Sequence, residues 1–167
     1  MVSEIVYSER YLEHDTGPSH PEKPGRVKES IKKIRESTLD EKTEIVEPNM
    51  AKRKDLQLVH EIPYIEKIKE TSEGDGGALT SDTPINSNTY EIARLAAGGT
   101  VKTAMDVYDR KFENGFALVR PPGHHATSAS GGGFCYFNNA AIATERLLND
   151  QSIDKVLIFD FDAHHGN

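Results

Sequence analysis

The apolar run Lys155-Val156-Leu157-Ile158-Phe159, closed by Asp160-Phe161-Asp162-Ala163-His164-His165-Gly166-Asn167, constrains this chain more than any other feature. A short apolar run of this kind predicts a buried strand of a parallel sheet. Successive strand side chains point to opposite faces, so Asp160, Asp162 and His164 are expected to share one face. Two carboxylates and an imidazole then gather at a strand's carboxyl end, where open α/β sheets place their chemistry. An acidic strand end can also do no more than cap a following helix. Three ligand-type side chains in a partly dry cleft, however, call for compensation by a metal or a hydrogen-bonded histidine, which favours the functional reading.

The rest of the chain reads as helices alternating with short strands. Strands are expected at Ile5-Val6-Tyr7, at Thr43 to Val46 and at Gly115 to Val119. Arg26 to Glu36 predicts an amphipathic helix with Val27, Ile31 and Ile34 on one face. Asp55 to Val59 and Pro63 to Glu70 read as short helices, Thr89 to Tyr108 as the strongest helix and Asn138 to Leu148 as the last. Ser72 to Asn88 reads as one long loop, a length more often functional than passive. The alternation predicts an α/β class with a mainly parallel sheet, in one domain over residues 1–167 with no internal repeat.

Composition narrows the function classes. A net charge of −7 gives no electrostatic footprint for nucleic acid. The single cysteine, Cys135, rules out a disulfide framework and suits a reducing compartment. The first residues lack the pattern of a signal peptide and no apolar run is long enough to span a bilayer, so the cytoplasm is the expected location.

Two further motifs add chemistry. Arg120-Pro121-Pro122-Gly123-His124-His125 follows a strand, and its prolines and glycine fix a loop that presents adjacent histidines. An isolated histidine pair is commonly surface decoration; here it shares a sheet end with the acidic cluster, which reverses that reading. Gly131-Gly132-Gly133-Phe134-Cys135-Tyr136 opens a helix without the Lys-Ser/Thr of a phosphate loop. Its glycines allow close approach of backbone to a ligand, Phe134 can wall a narrow channel, and Cys135 reads best as an inert buried thiol. His20-Pro21-Glu22-Lys23-Pro24 and the Asp82-Thr83-Pro84 turn are weaker signals.

Taken together these segments resemble the histone deacetylase superfamily, with its arginase/deacetylase fold, and especially its class II, acetylpolyamine amidohydrolase and prokaryotic branches. The resemblance runs from His14 to Asn167 and includes Val59-His60, Tyr64-Ile65 and Ala96-Ala97-Gly98-Gly99. It implies a three-layer αβα fold, truncated after the strand that ends near Asp162, in a sheet whose strand order is not sequential. It also implies roles. Asp162 and His164 match two of three zinc ligands. His124 and His125 match the proton-handling pair, Asp160 the partner of His124, and Asn167 the partner of His125. Asp82 matches a carboxylate that grips substrate backbone, while Gly133 and Phe134 match the wall of the acyl-lysine tunnel. A potassium ion near Asp160, Asp162 and His164 is implied as well.

The implied activity is zinc-dependent hydrolysis of an acetylated amine, a protein lysine or a polyamine. The family's third zinc ligand and its transition-state stabiliser come from segments after Asn167, so the domain is expected to be incomplete. Self-association through the incomplete sheet is then expected. Two alternatives stand beside this reading. One is an inactive fragment or binding module of the same fold. The other is an arginase-like two-metal ureohydrolase, for which Gly166 stands where a further carboxylate is needed.

Overall fold

The computed structural model describes residues 2–149 and 152–167. Three parallel strands form the central sheet: β1 (Ser3–Val6), β2 (Thr43–Val46) and β5 (Gly115–Ala117), in the order β2-β1-β5. Between β1 and β2 runs helix α1 (Gly25–Arg35), the crossover that a parallel pair requires. Two short helices follow β2, α2 (Arg53–Leu56) and α3 (Ile62–Glu73). The long helix α4 (Thr89–Tyr108) packs on β1 and β5, and α5 (Asn139–Leu148) lies along α4.

Close packing of α4 follows from its small residues. Ala93, Ala96, Ala97, Gly98 and Gly99 are all buried. A Cβ at Gly98 would stand 1.8 Å from the Asn49 carbonyl oxygen, so only glycine lets the segment after β2 cross the helix there. One core gathers Ile5, Tyr7 and Tyr11 with Val27 and Ile31 of α1 and Ile92, Leu95 and Ala96 of α4. A second core joins α3, α4 and α5 through Ile65, Ile68, Ala93, Tyr136, Phe137 and Ile142.

Two sequence expectations require correction. Ser72 to Asn88 is not one loop, because it contains an antiparallel hairpin, β3 (Gly77–Thr80) and β4 (Thr83–Ile85). Its polar, Gly-rich composition masks a ladder held by backbone pairing and by Thr83 and Ile85, which are buried. The run Lys155 to Phe159 forms no strand, and Leu157 and Phe159 are 91% and 81% exposed. An apolar run becomes a buried strand only when neighbours take its N–H and C=O groups and cover its faces. Among the described residues nothing pairs with it.

A buried acidic cluster lies where the carboxyl-terminal half of α4 crosses β1. Glu4 of β1 is fully buried and Asp106 of α4 nearly so, with Lys102 of α4 and Lys111 beyond it ion-paired to Asp106. Lys102 stands 3.8 Å from Glu4, and Glu44 is its register neighbour on β2. Burial, reinforced by Asp106, pushes the Glu4 carboxyl up to about 7 from an ordinary 4.5. The folded chain therefore holds this proton longer than the unfolded one as pH rises, so the stability it confers below pH 4.5 is lost as pH climbs towards 7. In urea unfolding, the stability of the wild type relative to Glu4→Gln should fall from pH 5 to 8; parallel pH curves for the two proteins would contradict the assignment.

Candidate active site

The site lies at the carboxyl ends of β1 and β5, which are parallel neighbours and so deliver their following loops to one end of the sheet. Arg120 organises this end. Its guanidinium, 1% exposed, donates from Nε to Glu22 Oε1 at 2.7 Å. Nη1 donates to the carbonyls of Tyr11 (2.9 Å) and His14 (2.5 Å), and Nη2 to Thr16 Oγ1 (3.3 Å). The loop after β1 is thereby fixed to the residue that opens Pro121-Pro122-Gly123-His124-His125. Burial and the nearby Arg120 charge push the His14 imidazole down to about 3, so it stays neutral.

A second brace uses His60, buried at the end of the segment after α2. The Asn138 N–H donates to His60 Nε2 (2.9 Å), so Nδ1 carries the proton and donates to the Thr127 carbonyl (2.8 Å). Asn138 also caps α5, its side chain accepting from the Ala141 N–H. The Tyr64 hydroxyl donates to the Tyr136 carbonyl at 2.6 Å. Arg120, His60 and Asn138 were not singled out for these roles from the sequence. The signal available was a charged or polar residue flanking a Gly/Pro-rich loop, where backbone groups need partners.

Between these braces sit the paired histidines. Their rings lie 4.0 Å apart at 38°. His124 Nδ1 is 3.0 Å from Asp160 Oδ2. The Asp160 carboxylate also accepts from the Asp162 N–H, and with His124 this holds it below its ordinary range. Asp162 accepts from the backbone N–H and the ring of His164 and is lowered in the same way. The His164 ring stands 6.0 Å from that of His125.

One cavity of about 590 Å³ is lined by His124, His125, Asp162 and His164 together with Asp82, Gly133 and Phe134. The structure thus brings together all the candidate side chains except Asp160 and Asn167. Asp160 reaches the site through His124. Asn167 donates from its backbone N–H to the His124 carbonyl (2.8 Å) and from Nδ2 to the His125 carbonyl. It therefore holds the backbone of the pair and not the His125 ring. Cys135 is fully buried, and burial pushes its thiol up to about 12, which suits an inert thiol.

Asp162 and His164 are of donor types that zinc accepts, whereas a catalytic zinc site uses three protein ligands and a water. Among the described residues no three His, Cys, Asp or Glu side chains converge to hold a metal. The donors fit in kind and are one short in number.

The histone deacetylase domain model matches residues 20–167, and the chain belongs to this family. It is 41% identical over 169 residues to a probable deacetylase of Archaeoglobus fulgidus, covering 100% of this chain and 46% of that protein. It is 34% identical over 158 residues to a histone deacetylase-like amidohydrolase of Pseudomonas aeruginosa, covering 94% of this chain and 41% of that one. The crystal structure of the HDA15 HD domain superposes with a TM-score of 0.93 at 34% identity, covering 99% of this chain and 48% of that domain. The fold is therefore the mixed α/β, parallel-sheet arginase/deacetylase type, and this chain spans just under half the length of these relatives.

Gly133 has φ +54°, and a Cβ there would stand 2.4 Å from His125 Cδ2. Gly133→Ala should therefore destabilise the chain by about 1–3 kcal/mol and shift the His125 ring resonances. Thermal unfolding with NMR checks both, and an unchanged midpoint with unmoved His125 signals would contradict the close packing.

Proposed function

We propose that the protein is a zinc-dependent hydrolase of acetylated amines, protein lysines or polyamines, and that this chain supplies its proton-handling histidines and two of its zinc ligands. The observation that carries the reading is the His124–Asp160 contact beside a second imidazole, in one cavity with Asp162 and His164. Zinc, when bound, supplies Lewis-acid polarisation of an amide carbonyl.

The chain's own residues do the rest. Asp160 accepts from His124 Nδ1–H, which holds the neutral ring as the tautomer with a bare Nε2. That nitrogen is free to accept a proton, and the carboxylate then stabilises the imidazolium. The two rings, 4.0 Å apart, lie close enough to serve one bound amide. Such a pair can take a proton at one ring and deliver one from the other, as loss of the acyl group from an amine requires. Asp82, Gly133 and Phe134 form the wall along which the acylated side chain would enter.

A second reading, a module of this fold that does not hydrolyse, draws on the lack of a third ligand among the described residues. Zinc content and turnover separate the two. The 167-residue chain alone is expected to retain little zinc and turn over no acetyl-lysine peptide. In the full-length protein loaded with zinc, His125→Ala should lower kcat about 10²–10⁴-fold. Unchanged turnover in that variant would overturn the role given to the histidine pair, and stoichiometric zinc in the chain alone would overturn the count of two ligands.

A further inference from the structure

The two weakest sequence signals, the His20-Pro21-Glu22 loop and the Asp82-Thr83-Pro84 turn, meet at the mouth of the cavity. Half-buried His20 lies between them. The Glu22 N–H donates to its Nδ1 (3.1 Å), so Nε2 carries the proton and donates to the Asp82 carbonyl (3.1 Å). Nδ1 also stands 2.9 Å from the Glu22 carbonyl oxygen. The ring also stands edge-on to Phe134, with centroids 4.8 Å apart and planes at 78°, within the favoured range for aromatic pairs.

Phe134 needs such a support. Its φ is +72°, directly after Gly133 at +54°, a conformation that a bulky residue holds only when its surroundings over-determine it. Its N–H donates to Thr83 Oγ1 at 3.0 Å, and that hydroxyl donates in turn to Asp82 Oδ1 at 2.9 Å. The backbone of Phe134 is thus held by the β3–β4 hairpin and its ring by His20. Both Phe134 and Asp82 line the cavity that holds the paired histidines, and His20 does not.

We propose that His20 is a positioning residue for substrate selection: it pins the Phe134 ring and the Asp82 carbonyl to one another and so fixes the width of the cavity mouth. This rests on the hydrolase reading above. A pinned wall admits a slender acylated side chain and penalises bulk beside it. A freed Phe134 would swing and relax that penalty.

The test compares acetyl-lysine peptides flanked by Gly or by Trp, using the full-length protein with zinc. His20→Ala should lower the ratio of kcat/KM for the Gly peptide over the Trp peptide about tenfold, mainly through KM. His20→Phe, which keeps an aromatic edge, should retain more of the ratio. Because the ratio cancels the folded fraction, a purely structural role would leave it unmoved. In the 167-residue chain, exchange of the Phe134 amide should be about tenfold faster in His20→Ala, through local opening. Wild-type protein that hydrolyses neither peptide nor an acetylpolyamine refutes the hydrolase reading, and amide exchange still judges the clamp. An unchanged ratio in an active protein, or unchanged exchange, overturns the proposal.

Discussion

The buried guanidinium of Arg120 is the contact on which this end of the molecule depends. It satisfies carbonyls of the loop after β1, pairs with Glu22, and directly precedes the turn that presents His124 and His125. A buried ion pair is costly to desolvate and is offset only when its hydrogen-bonding groups are met, which Arg120 achieves with five oxygen contacts. Glu22 Oε2 is the atom left without a partner. Removing either partner would strand a charge in the interior and release two loops together.

Around this anchor the site is built largely from backbone held by side chains. His60 holds the Thr127 carbonyl and the Asn138 N–H, Asn167 the carbonyls of the histidine pair, and Thr83 the Phe134 N–H. Loops rich in Gly and Pro have few backbone partners of their own, so a rigid site made from them needs such braces. The chemistry-bearing residues are fewer than those that place them. That ratio explains why a substitution at His20 or His60, remote from any reacting atom, would still be felt at the cavity.

Much of this was legible in the sequence. Helical periodicity located α1, α4 and α5, because each buries one continuous apolar or small-residue face. Asp160, Asp162 and His164 lie together although no strand forms there, joined by hydrogen bonds among themselves, and the Pro- and Gly-containing loop carries His124 and His125 beside them. The hairpin β3–β4 was not legible, since its strands are short and its Gly, Thr and Pro content speaks against a sheet. The failure at Lys155 to Phe159 is different in kind. The run is apolar, but burial is a property of neighbours, and Phe161 and Leu157 stand 87% and 91% exposed without them. The braces of Arg120, His60 and Asn138 join residues far apart in the chain, and no local pattern encodes such pairings.

On the function proposed above, Asp162 and His164 hold zinc in a site whose protons are handled by the neighbouring histidine pair. X-ray absorption at the zinc edge of the loaded full-length protein tests it most directly. The spectrum should show an imidazole nitrogen at about 2.0–2.1 Å whose signal is lost in His164→Ala; a shell unchanged by that substitution would mean that His164 is no ligand.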